Sequence, residues 1–451
     1  MKRAWLTWMA GALALAACAP LATPEPVFTL VPTRPPPTAT TPAPPTATSA
    51  PPTAMPSATP VIASPAPPVE PTVVPEGPAI SRLTAGQSIT VTALDMLGPA
   101  VGWAAGETAG DLDDRLLTTA DGGRTWRDVT PPQPVDAALA LGQGATFTAL
   151  DSRTAWATFY DRTGGPLGTT PFIWRTVDGG QTWSASRPLN LTDAELFSPS
   201  DLVFVDAQTG WLLVHVGAGM MHDYVMLFAT RDGGLSWERL VDPFTETDNG
   251  LLQSCGKTGM AFTDAQTGWV TGDCGGVQPG APYLYQSADA GRTWAFLELP
   301  PPGDRPDLFQ IETLACGVQA PLYAKGPAVV LAVTCQDYTA GQSLAYLYRT
   351  GDGGASWGAE PLAGGFSAGV FLSPEVGWVL GPAADPAESV LAQTVDGGLS
   401  LDNLKQLTWA GPLDFVDAQT GWAIAQAGEA KALVQTTDGG RTWQVLTPVI
   451  Q

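Results

Sequence analysis

The chain reads as an all-β protein, a seven-bladed β-propeller of four-stranded antiparallel blades, and three observations predict it. The pattern Thr/Ser-x-Asp-x-Gly-x-Thr/Ser-Trp recurs seven times, with its aspartates at Asp121, Asp178, Asp232, Asp289, Asp352, Asp396 and Asp438, 42 to 63 residues apart. A second pattern, Phe-Val-Asp-Ala-Gln-Thr-Gly-Trp, stands at Phe204–Trp211 and Phe415–Trp422, nearly so at Phe262–Trp269, and more loosely around Trp103, Trp156 and Trp378. No stretch of the repeat region carries a long 3.6-residue apolar period, only short aromatic and β-branched runs bounded by Gly, Asp and Pro, which are strand signals. A period of this size marks a solenoid or a propeller, and seven units of four short strands give a propeller.

Three segments precede or compose this ring. Residues 1–17 read as a lipoprotein signal peptide: Lys2 and Arg3, a short apolar run, then Leu15-Ala16-Ala17 before Cys18. That run is too short for a spanning helix. Cys18 follows Leu-Ala-Ala as the acceptor of a lipobox does, so the expected lipidation site is Cys18 and the expected location is the outer face of a bacterial membrane. Residues 18–79 are mostly Pro, Thr, Ala and Ser. Few apolar groups offset the ordering entropy there, which predicts a disordered tether, roughly 180 Å long at about 3.1 Å per residue if fully extended. Residues 80–451 are the propeller.

One unit shows how the strands are assigned. Met260–Thr263, Trp269–Gly272, Pro282–Gln286 and Thr293–Leu297 are four strand-like runs, the first two separated by the Asp264–Gly268 turn. The aspartate box falls between the third and fourth. Its carboxylate suits the backbone N–H groups of its own turn, its Gly supplies the positive φ, and the Trp after it packs between sheets. These are structural tasks. The fifth unit has Val329–Val333 where the others have Gly-Trp, and the sixth has Leu401 where the box Trp belongs.

Charge and cysteines bound the function. A formal charge of −22 and a pI near 4.2 exclude a basic nucleic-acid footprint and electrostatic docking on anionic lipid. Cys255 and Cys274 are 19 residues apart, as are Cys316 and Cys335. In an exported chain this points to disulfides 255–274 and 316–335. Zinc is the competing reading, without a nearby histidine or a Cys-x-x-Cys.

With the Thr-x-Asp-Gly-Gly-x-Thr-Trp boxes and the Asp-x-x-x-Gly-Trp segments together, the chain resembles the Asp-box (BNR) repeat propellers. Over about 88–447 it is most similar to the photosystem II assembly and stability factor-like family. That resemblance implies a seven-bladed ring and a non-enzymatic role in binding or assembly, with no catalytic residues, no cofactor and no metal. The domain differs in being acidic where that family's contact face is arginine-rich, and in its Pro/Thr tether. Sialidases share the boxes but need three arginines around the substrate carboxylate. Here Arg124, Arg175, Arg231, Arg292, Arg349 and Arg441 sit in or beside box turns. An exo-acting, sialidase-like glycoside hydrolase using the central pocket is the alternative function. Xyloglucan endoglucanases with boxes use two propellers, and one exhausts this chain.

Loop lengths locate the expected binding surface. The first-to-second and third-to-fourth turns share one face and are short. The opposite face is irregular, with 30, 28 and 32 residues from Trp126, Trp183 and Trp237 to the next Gly-Trp, against 21 after Trp357 and Leu401. Function on rigid scaffolds gathers in such loops, so a protein or glycan partner is expected there, on a monomeric propeller. The segment with His215, Met220, Met221, His222 and Asp223 holds the only histidines. It is expected to be a binding loop packed on a neighbour rather than a copper site. The acidic Asp242–Asp248 loop reads as solvated rather than calcium-binding.

Overall fold

The computed structural model describes residues 79–134, 142–163, 171–219, 222–245, 249–274, 282–337, 339, 341–385 and 387–451. The signal peptide, Cys18, the tether up to residue 78, Met220 and Met221 lie outside them. Among the described residues each repeat forms its own antiparallel sheet, seven in all, with strands in sequence order across the blade. Blade 1 comprises Thr90–Met96, Gly102–Thr108, Asp111–Thr119 and Thr125–Asp128. The first strands of blades 2 to 7 are Gln143–Ala149, Ser198–Phe204, Gly256–Phe262, Leu314–Val318, Ala368–Phe371 and Leu413–Phe415. The first strands line the axis, and those of blades 2 and 3, 3 and 4, 6 and 7, and 7 and 1 touch one another. Fourth strands such as Ala295–Phe296 and Gln444–Val445 are exposed at the rim. Blade 5 departs from the rule: a short strand, Tyr323–Lys325, continues Leu314–Val318 along Ala328–Asp337. The only described helical segment is one 3-10 turn, Leu308–Gln310.

Each box closes on itself in one way. In the first, the Thr119 hydroxyl donates to Asp121 Oδ1 at 3.0 Å and accepts the Gly123 N–H at 3.0 Å. Asp121 in turn accepts the Thr125 N–H at 2.9 Å and the Thr125 hydroxyl at 2.7 Å. The same bonds recur through the seventh box, Thr436–Thr442. Gly122 and Gly123 take φ of 76° and 87°, a region costly for residues with a Cβ. The residue after each box aspartate also donates to the first-to-second turn of its blade, as in Gly122 N to Ala100 O and Gly439 N to Gln419 O. Both sets of short turns therefore share one face.

The blades are held together by an aromatic sandwich. Trp211, at the start of a second strand, stacks on Phe262 of the next blade at 3.6 Å, and Phe262 meets the box residue Trp294 edge-on at 6.2 Å. Trp156–Phe204–Trp237 and Trp378–Phe415–Trp443 repeat this. Each aromatic pair adds about 0.5–1.5 kcal/mol beyond its buried area. The second-strand indoles are fully buried, as are Trp174 of a third strand and Trp126 of the first box. Of the other box tryptophans Trp294 is buried and the rest are half-buried. Where the fifth unit lacks its Trp and the sixth its box Trp, the losses meet: Val330, Phe371 and Leu401 pack in one cluster, an aliphatic version of the same contact.

The ring closes at blade 1. Val449–Ile450 adds in parallel to Thr125–Asp128, and the Ile450 N–H donates to Gln87 O at 2.9 Å. Both disulfides form as paired from the sequence, 255–274 and 316–335. Each joins the far ends of a first and second strand. Two disulfides fit folding in an oxidising compartment. No helix among the described residues is long and apolar enough to cross a membrane.

Candidate functional site

The axis is the one place to which every blade contributes. Its strands bring no arginine and only three aspartates, Asp95, Asp201 and Asp414. A three-arginine clamp therefore cannot form there among the described residues. Asp95 and Asp414 hold the same place in their repeats, opposite Trp103 and Trp422, near the box end of adjacent blades.

Each carboxylate reaches into the next blade. Asp414 Oδ2 accepts the Met96 N–H at 2.7 Å, one residue beyond Asp95, and Asp95 Oδ2 accepts the Ala149 N–H at 3.3 Å. Asp201 Oδ1 accepts the Met260 N–H at 3.2 Å. These bonds latch neighbouring first strands together. Only one oxygen of Asp95 and one of Asp414 is so engaged. Burial pushes the Asp414 carboxyl up to about 7, and the neighbouring Asp95 charge adds to the rise. Burial also raises Asp95, against the pull of the Ala149 N–H. Two interacting carboxyls of raised pKa at one site are the raw material of acid–base chemistry.

The box aspartates behave oppositely. Hydroxyl and then backbone donors from Thr442 hold Asp438 down at about 2, and the Ser356 and Ser400 donors do the same for Asp352 and Asp396. Such groups stay ionised and occupied with their own turns.

On the long-loop face, His215 lies in the second strand of blade 3, Gly210–Gly219, and its Nδ1 is 2.8 Å from Asp223 Oδ1. His222 does not join them; it is exposed and stacks on Tyr224 at 5.7 Å. No described group of three His, Cys, Asp or Glu side chains could hold a metal. In the acidic loop, Asp242 is paired with Arg239 at 2.9 Å.

Lys257 went unnoticed in the sequence. Its Nζ donates to the carbonyl oxygens of Asp223, Ser254 and Cys255 at 3.0–3.1 Å, over the Tyr283 ring. Burial lowers its pKa to about 8, opposed by Asp223. With all three N–H groups donated, this amine braces blades 3 and 4. Asp95 and Asp414 were also passed over. Their signal was Leu-Asp at one repeat position in two blades.

No family model and no curated protein matches the chain. Solved structures do. A GH74 enzyme of Niastella koreensis is 14% identical with a TM-score of 0.32, over 80% of this chain and 62% of that one. A puromycin-hydrolyzing peptidase of Mycobacterium tuberculosis is 15% identical with a TM-score of 0.50, over 84% and 57%. An α-L-arabinofuranosidase of Fusarium graminearum is 13% identical with a TM-score of 0.40, over 68% and 94%. The chain thus spans less than two thirds of the first two. What these likenesses share with it is the fold. They correct one expectation: the peptidase of that fold is an enzyme, so the ring gives no ground for the non-enzymatic assignment drawn from the resemblance.

Proposed function

We propose that the protein is an exported propeller, tethered through lipid on Cys18 and residues 18–79, that acts on a glycan as a glycoside hydrolase. The observation that carries this reading is the Asp95–Asp414 pair on adjacent inner strands, joined through Met96 and each with an oxygen to spare. Asp414, protonated near neutral pH, donates its proton to the glycosidic oxygen as the C–O bond breaks. Asp95 accepts a proton from the water that attacks the anomeric carbon. Proton exchange with solvent restores the pair. The described inner strands carry no arginine, which favours an uncharged sugar over a sialic acid. A panel of fluorogenic glycosides tests this. Turnover lost in both Asp414→Asn and Asp95→Asn supports it, and no turnover of any neutral glycoside refutes it.

A second reading keeps the tether and makes the long-loop face a docking surface for a membrane protein, as the photosystem II factor-like resemblance implies. Exposed Phe244 and Leu252 beside the His222–Tyr224 stack favour it. Cross-linking in native membranes that maps to this corner would support it, and cross-links on the box face would oppose it.

A further inference from the structure

A polar groove of about 360 Å³ lies where blades 5 and 6 meet on the long-loop face, the face away from the box end where Asp95 and Asp414 sit. Gln319, Thr334, Gln336, Ser343 and Ser367 line it with neutral hydrogen-bonding groups, and Phe366 contributes an aromatic ring. Asp273, from blade 4, adds one carboxylate.

Glycines set close backbone approaches around this space. A Cβ at Gly317 would stand 2.6 Å from Asp273 Cγ, so only glycine lets that carboxylate approach. Gly364 and Gly365 take φ of 99° and 88°, and a Cβ at Gly381 would meet the Gly365 carbonyl oxygen at 2.8 Å. The lining side chains are partly pre-set. Gln319 Nε2 donates to Thr334 Oγ1 at 3.0 Å, and the Ser343 hydroxyl donates to Gln336 Oε1 at 2.5 Å. Those bonds fix the two amides and leave the Gln319 carbonyl oxygen and the Gln336 amino group to turn toward a ligand.

The chemistry selects a ligand class. The described lining holds no basic side chain, so an anion would find no cation there. A metal ion would find a single carboxylate. An uncharged polyhydroxyl compound finds donors and acceptors for its hydroxyls and an aromatic face for its C–H surface. We propose that this groove is a glycan-binding site for a neutral oligosaccharide, separate from the inner-strand pair and holding the chain without reacting with it.

Titration calorimetry on the full chain tests the site, with cello-, xylo-, manno-, malto- and chitohexaose as probes. The expected result is binding of at least one with Kd below about 1 mM, weakened at least about tenfold by Gln336→Ala combined with Ser343→Val. Both side chains lie at the surface end of their strands, and Gln319→Ala serves as a second variant. Asp414→Asn is expected to leave this binding unchanged, so failed turnover and failed binding are read separately. No binding by any of the five probes, binding untouched by the groove variants, or tighter binding of an oligogalacturonate overturns the proposal.

Discussion

The indole N–H of Trp422, in the last blade, donates to the carbonyl oxygen of Gly122, in the first box, at 3.0 Å across 300 residues of sequence. The bond belongs to a series. Trp156 reaches Gly233, Trp211 reaches Ala290 and Trp378 reaches Gly439, each the residue after a box aspartate in the following blade. A box is thus both a turn within its own blade and an acceptor for its neighbour.

Trp269 breaks the series. The Gln286 amide donates to the Gly353 oxygen at 2.9 Å, and the Trp269 indole N–H is buried without a partner. Replacing Trp211 by Phe forfeits a hydrogen bond that replacing Trp269 does not. Trp269→Phe is therefore expected to cost about 1 kcal/mol less than Trp211→Phe. Urea unfolding of the two variants measures the difference, and equal costs would contradict it.

The box carboxylates set the acid limit. Asp438 sits at about 2 in the fold, below its ordinary value near 4. Its contribution is complete above pH ~4 and disappears as pH falls through about 2. An Asp438→Ala variant should be less stable than the parent at pH 6, with the deficit closing toward pH 2. A constant deficit across that range would show that charge is not involved.

Asp414 has the reverse sign. Its folded value of about 7 exceeds its ordinary one, so its contribution is complete below pH ~4 and lost as pH rises through about 7. Asp414→Asn keeps an acceptor for the Met96 N–H and removes the charge. Its melting temperature relative to the parent should rise between pH 5 and pH 8. A pH-independent difference would place the carboxyl in water.

The disulfides each close a span of 19 residues. Replacing Cys316 and Cys335 together by Ser should cost about 3 kcal/mol by loop entropy, the cost for Cys255 and Cys274 being similar. Denaturant midpoints with and without reductant check this, and a change below about 1 kcal/mol would point to a denatured state already restricted.

Blade number, strand order and cysteine pairing were legible because each is written in a repeated local pattern: a turn that needs Asp and Gly, or a Trp that needs burial. The absence of Trp from the fifth unit and from the sixth box looked like two separate lapses. In the ring Val330 and Leu401 face one Phe371, so one contact changed on both sides. Contacts between blades are not local, and sequence order alone does not pair them. The carboxylates at Asp95 and Asp414 stayed hidden for a related reason. A chain with 43 acidic residues gives no sign of which two share an axis.

The seam at blade 1 decides how the ring bears tension. Ile80 is bonded to Gln133, Leu83 to Asp128 and Gln87 to Ile450, all along the outer border of that blade. A pull on the chain at Ala79 is met first by these bonds at the border, before the strands at the axis are loaded. The first parts to yield would be the entering segment and the Val449–Ile450 strand clasped against it. The remaining six blades would be shielded until that clasp gives way.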